Sequence, residues 1–75
     1  MEIKKFIKNL AEQFEETDPA LITEETVYKE LEEWDSMIAL SVIAMVDEEY
    51  DVKISGNDIT GSNTVKELFE IIKSR

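Results

Sequence analysis

Asp35-Ser36-Met37-Ile38-Ala39-Leu40-Ser41-Val42-Ile43-Ala44-Met45-Val46-Asp47-Glu48-Glu49-Tyr50 is the stretch on which the fold turns. A short side-chain oxygen at Asp35 or Ser36 accepts an orphan backbone N–H, so either residue is a good N-cap. The helix opened there runs to about Tyr50, and Asp51 starts the exit. At 100° per residue, Ala39, Val42, Ile43, Val46 and Tyr50 share one side and are expected to face a core. Ser36, Met37, Leu40, Ser41, Ala44, Asp47 and Glu48 fall on an adjoining side that mixes apolar with acidic residues. Ile38 and Met45 lie on a third side. A helix apolar almost all round is either fully buried or presents a binding surface, and 75 residues cannot bury every face. The loop before the helix is expected to fold over at least one of Ile38 and Met45. Met37, Leu40 and Ala44 then form an apolar stripe for partners, with Asp47 and Glu48 pairing to basic residues on them.

Upstream, Ile3, Phe6, Ile7, Leu10 and Phe14 mark the stripe of an amphipathic helix. It is expected to end near Glu15 or Glu16, because Asp18-Pro19 forces the residue before proline out of helical geometry. Pro19 to Trp34 fits no single periodicity. It reads as a long ordered loop with a helical turn around Glu24–Leu31, pinned by Leu21, Ile22, Val27 and Leu31. Downstream, Gly56, Gly61, Asn57, Asp58, Ser62 and Asn63 are turn residues, and Asn57-Asp58-Ile59-Thr60 is a candidate short helix. Thr64 with Glu67 fits a capping box, and Val65, Leu68, Phe69 and Ile72 repeat behind it as a last helix over residues 65–73. The expected core is Phe6, Ile7, Leu10, Phe14, Val42, Ile43, Val46, Tyr50, Ile54, Val65, Leu68, Phe69 and Ile72. The reading is all-α: one domain over residues 1–75, a small bundle of three main helices plus a short third helix between the last two.

Composition narrows the function. Eighteen acidic residues against eight basic ones leave a net charge of −10, which rules against a nucleic-acid binder and against an acidic membrane surface. The acid is concentrated: residues 12–58 hold fifteen carboxylates against Lys29 and Lys53, while both flanks are mildly basic. Such a middle suits a partner with a basic surface. Hydrophobic residues at 43% are too many for a disordered acidic tail. Cys and His are both absent, which removes disulfides, Cys–His and Ser–His nucleophiles and structural zinc sites. The start, Met1-Glu2-Ile3-Lys4-Lys5-Phe6, has no continuous apolar segment behind its lysines, and the near-apolar run Met37 to Val46 is too short to span a bilayer. A cytoplasmic monomer is expected.

Asp51 to Ser62 carries oxygen ligands and a glycine at the sixth position, as a calcium loop does. It fails at the third position, Lys53, and at the twelfth, Ser62, so no metal site is expected. A core this small leaves little room for a concave catalytic site, and an enzyme is not expected. Ser36 differs from the other polar residues because its hydroxyl stands where an acidic loop gives way to a helix. A phosphate attached there would be favoured by free N–H groups and by the helix macrodipole, with Asp35 beside it to orient a metal or phosphate donor held by another enzyme.

Asp35-Ser36-Met37 resembles the Asp-Ser-Leu signature of acyl carrier proteins. The resemblance extends to the amphipathic first helix, the long loop with Asp18-Pro19, the helix end Asp47-Glu48-Glu49-Tyr50-Asp51, Val52-Lys53-Ile54, the turn near Asp58-Ile59 and the Thr64-Val65 helix start. It implies that Ser36 carries 4′-phosphopantetheine from coenzyme A, attached by a phosphopantetheinyl transferase. It also implies an acyl group held as a thioester for enzymes of fatty-acid, polyketide or specialised acyl biosynthesis, and it makes the second helix the recognition helix. Two departures point to a specialised carrier: Glu33 and Trp34 stand where the family usually has glycine, and Met37 replaces leucine. The alternative is an acidic helical interaction module that is never modified.

Overall fold

A computed structural model describes residues 2–75. These form α1 (Ile3–Ala11), α2 (Ser36–Tyr50), α3 (Gly56–Thr60) and α4 (Val65–Lys73), with 3-10 turns at Pro19–Leu21 and Tyr28–Glu30 in the α1–α2 connection. Among the described residues the only β pairing is an isolated antiparallel bridge, Val27 with Thr64, so the all-α expectation holds.

Each later helix starts where a short polar side chain takes an orphan N–H. Asp35 Oδ1 accepts from the Ile38 N–H at 2.8 Å and opens α2. Its other end is closed by Asp51 in the left-handed region, at φ 55°, with the Asp51 N–H on the Asp47 carbonyl at 3.0 Å. Aspartate tolerates that conformation better than most residues with a Cβ. Ser55 and Asp58 cap α3 reciprocally. Thr64 Oγ1 accepts from the Glu67 N–H at 3.1 Å to open α4. The Glu67 carboxylate reaches back to the N–H of Asn63, at 2.7 Å, one residue earlier than a capping box requires. The next two N–H groups of α4, on Val65 and Lys66, donate to the Thr26 and Glu24 carbonyls at 3.0 and 2.9 Å. The α1–α2 connection thus completes the start of the last helix.

The first helix is shorter than its stripe predicts. It stops at Ala11, not near Glu15 or Glu16, and passes into tight turns in which Gln13 and Phe14 donate to the Leu10 and Ala11 carbonyls. The reason lies outside the helix, because the N–H groups of Glu15, Glu16 and Thr17 are held by the Glu33 carboxylate and are lost to any helical ladder. Phe14 stays buried at the turn. In the α1–α2 connection the Glu24–Leu31 helical turn narrows to Tyr28–Glu30, and a second turn forms at Pro19–Leu21, where Asp18 caps the Ala20 N–H.

The core joins Phe6, Leu10, Phe14, Val42, Val46, Ile54, Val65, Leu68, Phe69 and Ile72, as expected, with Ala11, Ile22, Tyr28, Ile38, Met45 and Ile59 in addition. Ile7, Ile43 and Tyr50 are corrections: they are half-buried at the edge of the core. On α2 the deepest stripe is Ile38, Val42, Met45 and Val46, rotated from the Ala39–Val42–Ile43–Val46–Tyr50 side. Ile38 and Met45 are both buried, and Asn9 and Gln13 border Met45 from the α1 end of the chain. Phe6 lies between Phe69, at 5.4 Å between ring centroids, and Tyr50, edge-on at 6.1 Å.

Candidate functional site

Three consecutive residues fasten the chain just ahead of Ser36. The Glu33 carboxylate accepts four hydrogen bonds, Oε2 from the Glu15 N–H at 2.7 Å and Oε1 from the Glu16 N–H at 3.0 Å, the Thr17 N–H at 2.9 Å and the Thr17 hydroxyl at 2.7 Å. Trp34 stands edge-on to Tyr28 at 5.2 Å and tilted against Phe14 at 6.2 Å, while its backbone N–H donates to the Leu31 carbonyl. Asp35 is the cap of α2. Tyr28, fully buried, anchors this segment to α3 and the turn that follows it. Its hydroxyl lies 2.6 Å from the Ser62 hydroxyl and 3.2 Å from the Ile59 carbonyl, and burial pushes the phenol above its ordinary pKa. Lys29 adds bonds to the Ile59 and Thr60 carbonyls.

Ser36 is the first residue of α2 and is exposed. Among the described residues, the N–H groups of Ser36 and Met37 have no protein acceptor, while those of Ile38 and Ala39 are taken by the Asp35 side chain and carbonyl. The hydroxyl therefore stands beside two free donors at the positive end of a fifteen-residue helix. A covalently attached phosphodiester fits this place, because it needs an open oxygen and N–H donors for its negative charge, and both are present.

The other residues singled out on α2 share the open surface. Met37 and Leu40 are 73% and 65% exposed, among the few large apolar side chains left in solvent, and Ser41, Ala44 and Glu48 are exposed beside them. Asp47 is half-buried and bridged to Lys53 at 3.2 Å, a solvated pair that holds it only weakly. Leu21, 62% exposed, borders a recess lined also by Glu16, Asp18, Glu30 and Glu32. Among the described residues no group of three or more acidic side chains is placed to hold a metal ion, and no helix is long and apolar enough to cross a membrane.

Glu33 and Trp34 were visible in the sequence only as departures from a glycine pattern. No local signal marks their roles, since the partners of Glu33 lie 16 to 18 residues away. Desolvation raises the Glu33 carboxyl most, but its four hydrogen bonds together outweigh that and hold it below the ordinary carboxylate range.

The chain is thus a small four-helix fold whose loop is fastened ahead of an exposed serine at the start of α2. The chain matches the family model for the phosphopantetheine attachment site over residues 5–72, and it belongs to that family, the one that includes the acyl carrier proteins. Domains of the family bear 4′-phosphopantetheine covalently and are carriers without catalysis of their own. Comparison with curated proteins and with solved structures finds no match.

Proposed function

We propose that Ser36 is the attachment residue and that the chain is an acyl carrier of fatty-acid, polyketide or specialised acyl biosynthesis. The single observation that carries this is the exposed Ser36 hydroxyl at the first position of α2, beside two unpaired N–H groups. Ser36 Oγ gives its proton to a base on a phosphopantetheinyl transferase and attacks the pantetheine-bearing phosphorus of coenzyme A. The pyrophosphate bond breaks, the phosphopantetheinyl group passes to Ser36 and 3′,5′-adenosine bisphosphate leaves. The resulting phosphodiester lies at the positive end of α2, where the Ser36 and Met37 N–H groups face it. When bound, the arm supplies the thiol that this cysteine-free chain lacks, and an acyl group is held on it as a thioester. Tethering raises the local concentration of that group at each partner without a new contact. Asp35 keeps the serine at the helix mouth through its bond to the Ile38 N–H.

Met37, Leu40, Ser41 and Ala44 form the apolar and small-residue part of the partner face, and Glu48, with Asp47 once it leaves Lys53, supplies charge for basic residues on the transferase and the acyl-handling enzymes. The chain works as a monomer in the cytoplasm in this reading. Mass spectrometry after incubation with coenzyme A and a phosphopantetheinyl transferase of broad specificity tests it. One phosphopantetheine adduct is expected on the wild type and none on Ser36→Ala. An adduct that persists in Ser36→Ala overturns Ser36 as the attachment residue, and a wild type that takes none favours the unmodified interaction module.

A further inference from the structure

We propose that Glu33 is a positioning residue for the modification of Ser36: its carboxylate pre-orders the segment from Glu33 to Ser36, so that the hydroxyl meets the transferase already in place. The role rests on the attachment at Ser36 proposed above. Its basis is geometric. One carboxylate holds three successive backbone N–H groups and a hydroxyl from residues 15–17, at 2.7 to 3.0 Å, and stands three residues before Ser36. Trp34, edge-on to Tyr28 and tilted against Phe14, and Asp35, capping α2, continue the restraint without a gap. A glycine at residue 33 would leave those four donors to water and the segment free to wander.

Ordering backbone costs free energy, and a segment ordered before docking spares the complex that cost. The clamp therefore acts on how readily the unmodified chain binds the transferase, not on the chemistry at Ser36 Oγ. Loss of it should raise KM for the chain about tenfold, the effect of re-ordering roughly one residue of backbone on docking, and leave kcat nearly unchanged.

The charged groups around Glu33 are all acidic. Glu15, Glu16, Asp18, Glu30, Glu32 and Asp35 line the recesses beside it, with Gln13 and Thr17 as neutral polar neighbours and no cation. The ionised form thus depends on its hydrogen-bond donors, and protonation weakens the clamp, leaving one carbonyl oxygen as its main acceptor. Because the carboxyl is held below the ordinary range, the clamp is at full strength at neutral pH and weakens as pH falls through that depressed value.

The experiment measures KM and kcat of phosphopantetheine transfer to the full chain, together with amide hydrogen exchange at Glu15, Glu16 and Thr17. Glu33→Ala should raise KM about tenfold, keep kcat within about twofold and speed exchange at all three amides. Glu33→Gln keeps one carbonyl oxygen for the Glu16 and Thr17 donors and should recover most of KM. Protection at those two amides should then no longer fall with acidification, as it does in the wild type. Thr17→Val removes a single bond and should raise KM about twofold, which keeps the test open if Glu33→Ala folds poorly. Glu32→Ala removes the same charge from a neighbouring exposed position that makes none of these bonds, and should change neither readout. Normal modification of the wild type with an unmoved KM in Glu33→Ala overturns the positioning role alone. Equal effects of Glu32→Ala and Glu33→Ala overturn it as well, since charge would then explain both. A wild type that takes no arm removes the attachment itself and the positioning role with it.

Discussion

Replacing Tyr28 by Phe removes one oxygen from the centre of the molecule and tests how the α1–α2 connection is held. The hydroxyl is fully buried, 2.6 Å from Ser62 Oγ and 3.2 Å from the Ile59 carbonyl. Its neighbours keep other partners when it goes. Ser62 Oγ still donates to the Asp58 carbonyl at 3.0 Å, and the Ile59 carbonyl still accepts from Lys29 at 3.0 Å. No buried polar group is orphaned, so the cost is the net value of one or two hydrogen bonds, about 1–2 kcal/mol, and not a full desolvation penalty. A 75-residue domain has about 4–11 kcal/mol of stability in all. At about 4–8 °C per kcal/mol, Tm should drop by about 5–15 °C. Circular dichroism melts and urea titrations of Tyr28→Phe, Ser62→Ala and the double variant give the coupling, expected at about 0.5–1.5 kcal/mol. Single costs that add to within about 0.3 kcal/mol would refute the reasoning, because the two hydroxyls would then not be bonded to each other.

Phe69→Ala should cost about 3–5 kcal/mol, since the ring is buried against Phe6, whereas Ile43→Ala at the half-buried edge should cost about 1–2 kcal/mol; chemical denaturation ranks the two, and the reverse order would misplace the core. The Asp58 carboxyl is held below its ordinary range, first by its hydrogen bonds from Arg75 and then by the Ser55 N–H. The stability it adds is present above the ordinary carboxylate range and lost as pH falls through the depressed value, so the Tm gap between wild type and Asp58→Asn should close in acid; a gap constant down to strongly acid pH contradicts the pairing. Glu48→Lys reverses an exposed charge on the proposed partner face and should slow transfer to Ser36 several-fold at low salt, roughly, with Tm nearly unchanged; wild-type rates with every loading enzyme would remove Glu48 from that face.

The helices legible in the sequence were those whose limits are set by their own residues. Asp35 and Thr64 are short polar caps directly ahead of apolar runs, and α2 and α4 begin where those caps place them. The end of α1 was not legible, because it is set by a carboxylate at Glu33 that takes the next N–H groups from across the fold. The orientation of α2 was hard for a different reason. Apolar residues occupy nearly all its sides, so periodicity gives no direction, and packing selects Ile38, Val42, Met45 and Val46. Tyr28 sits in a stretch without a repeating pattern, and nothing local marks it as core. At the site, the cap and the exposed serine could be read from Asp35-Ser36, whereas the restraint ahead of them depends on contacts with Phe14, Tyr28 and Thr17 that no spacing encodes.

The carbonyls of Glu24 and Thr26 that receive the first N–H groups of α4 bear on how the chain folds. A helical bundle rich in local contacts can assemble piece by piece and quickly. Here the first turn of the last helix is complete only after residues some forty positions apart have met, and the Tyr28–Ser62 and Asn9–Tyr50 bonds close spans of 34 and 41 residues. The loop entropy of those closures is spent before their rewards arrive, so the connection and α4 order in one cooperative event. A segment drawn as a linker is in this sense half of a helix start. Exchanging it for a connection that does not bring those two carbonyls to the start of α4 would leave the N–H groups of Val65 and Lys66 without these partners.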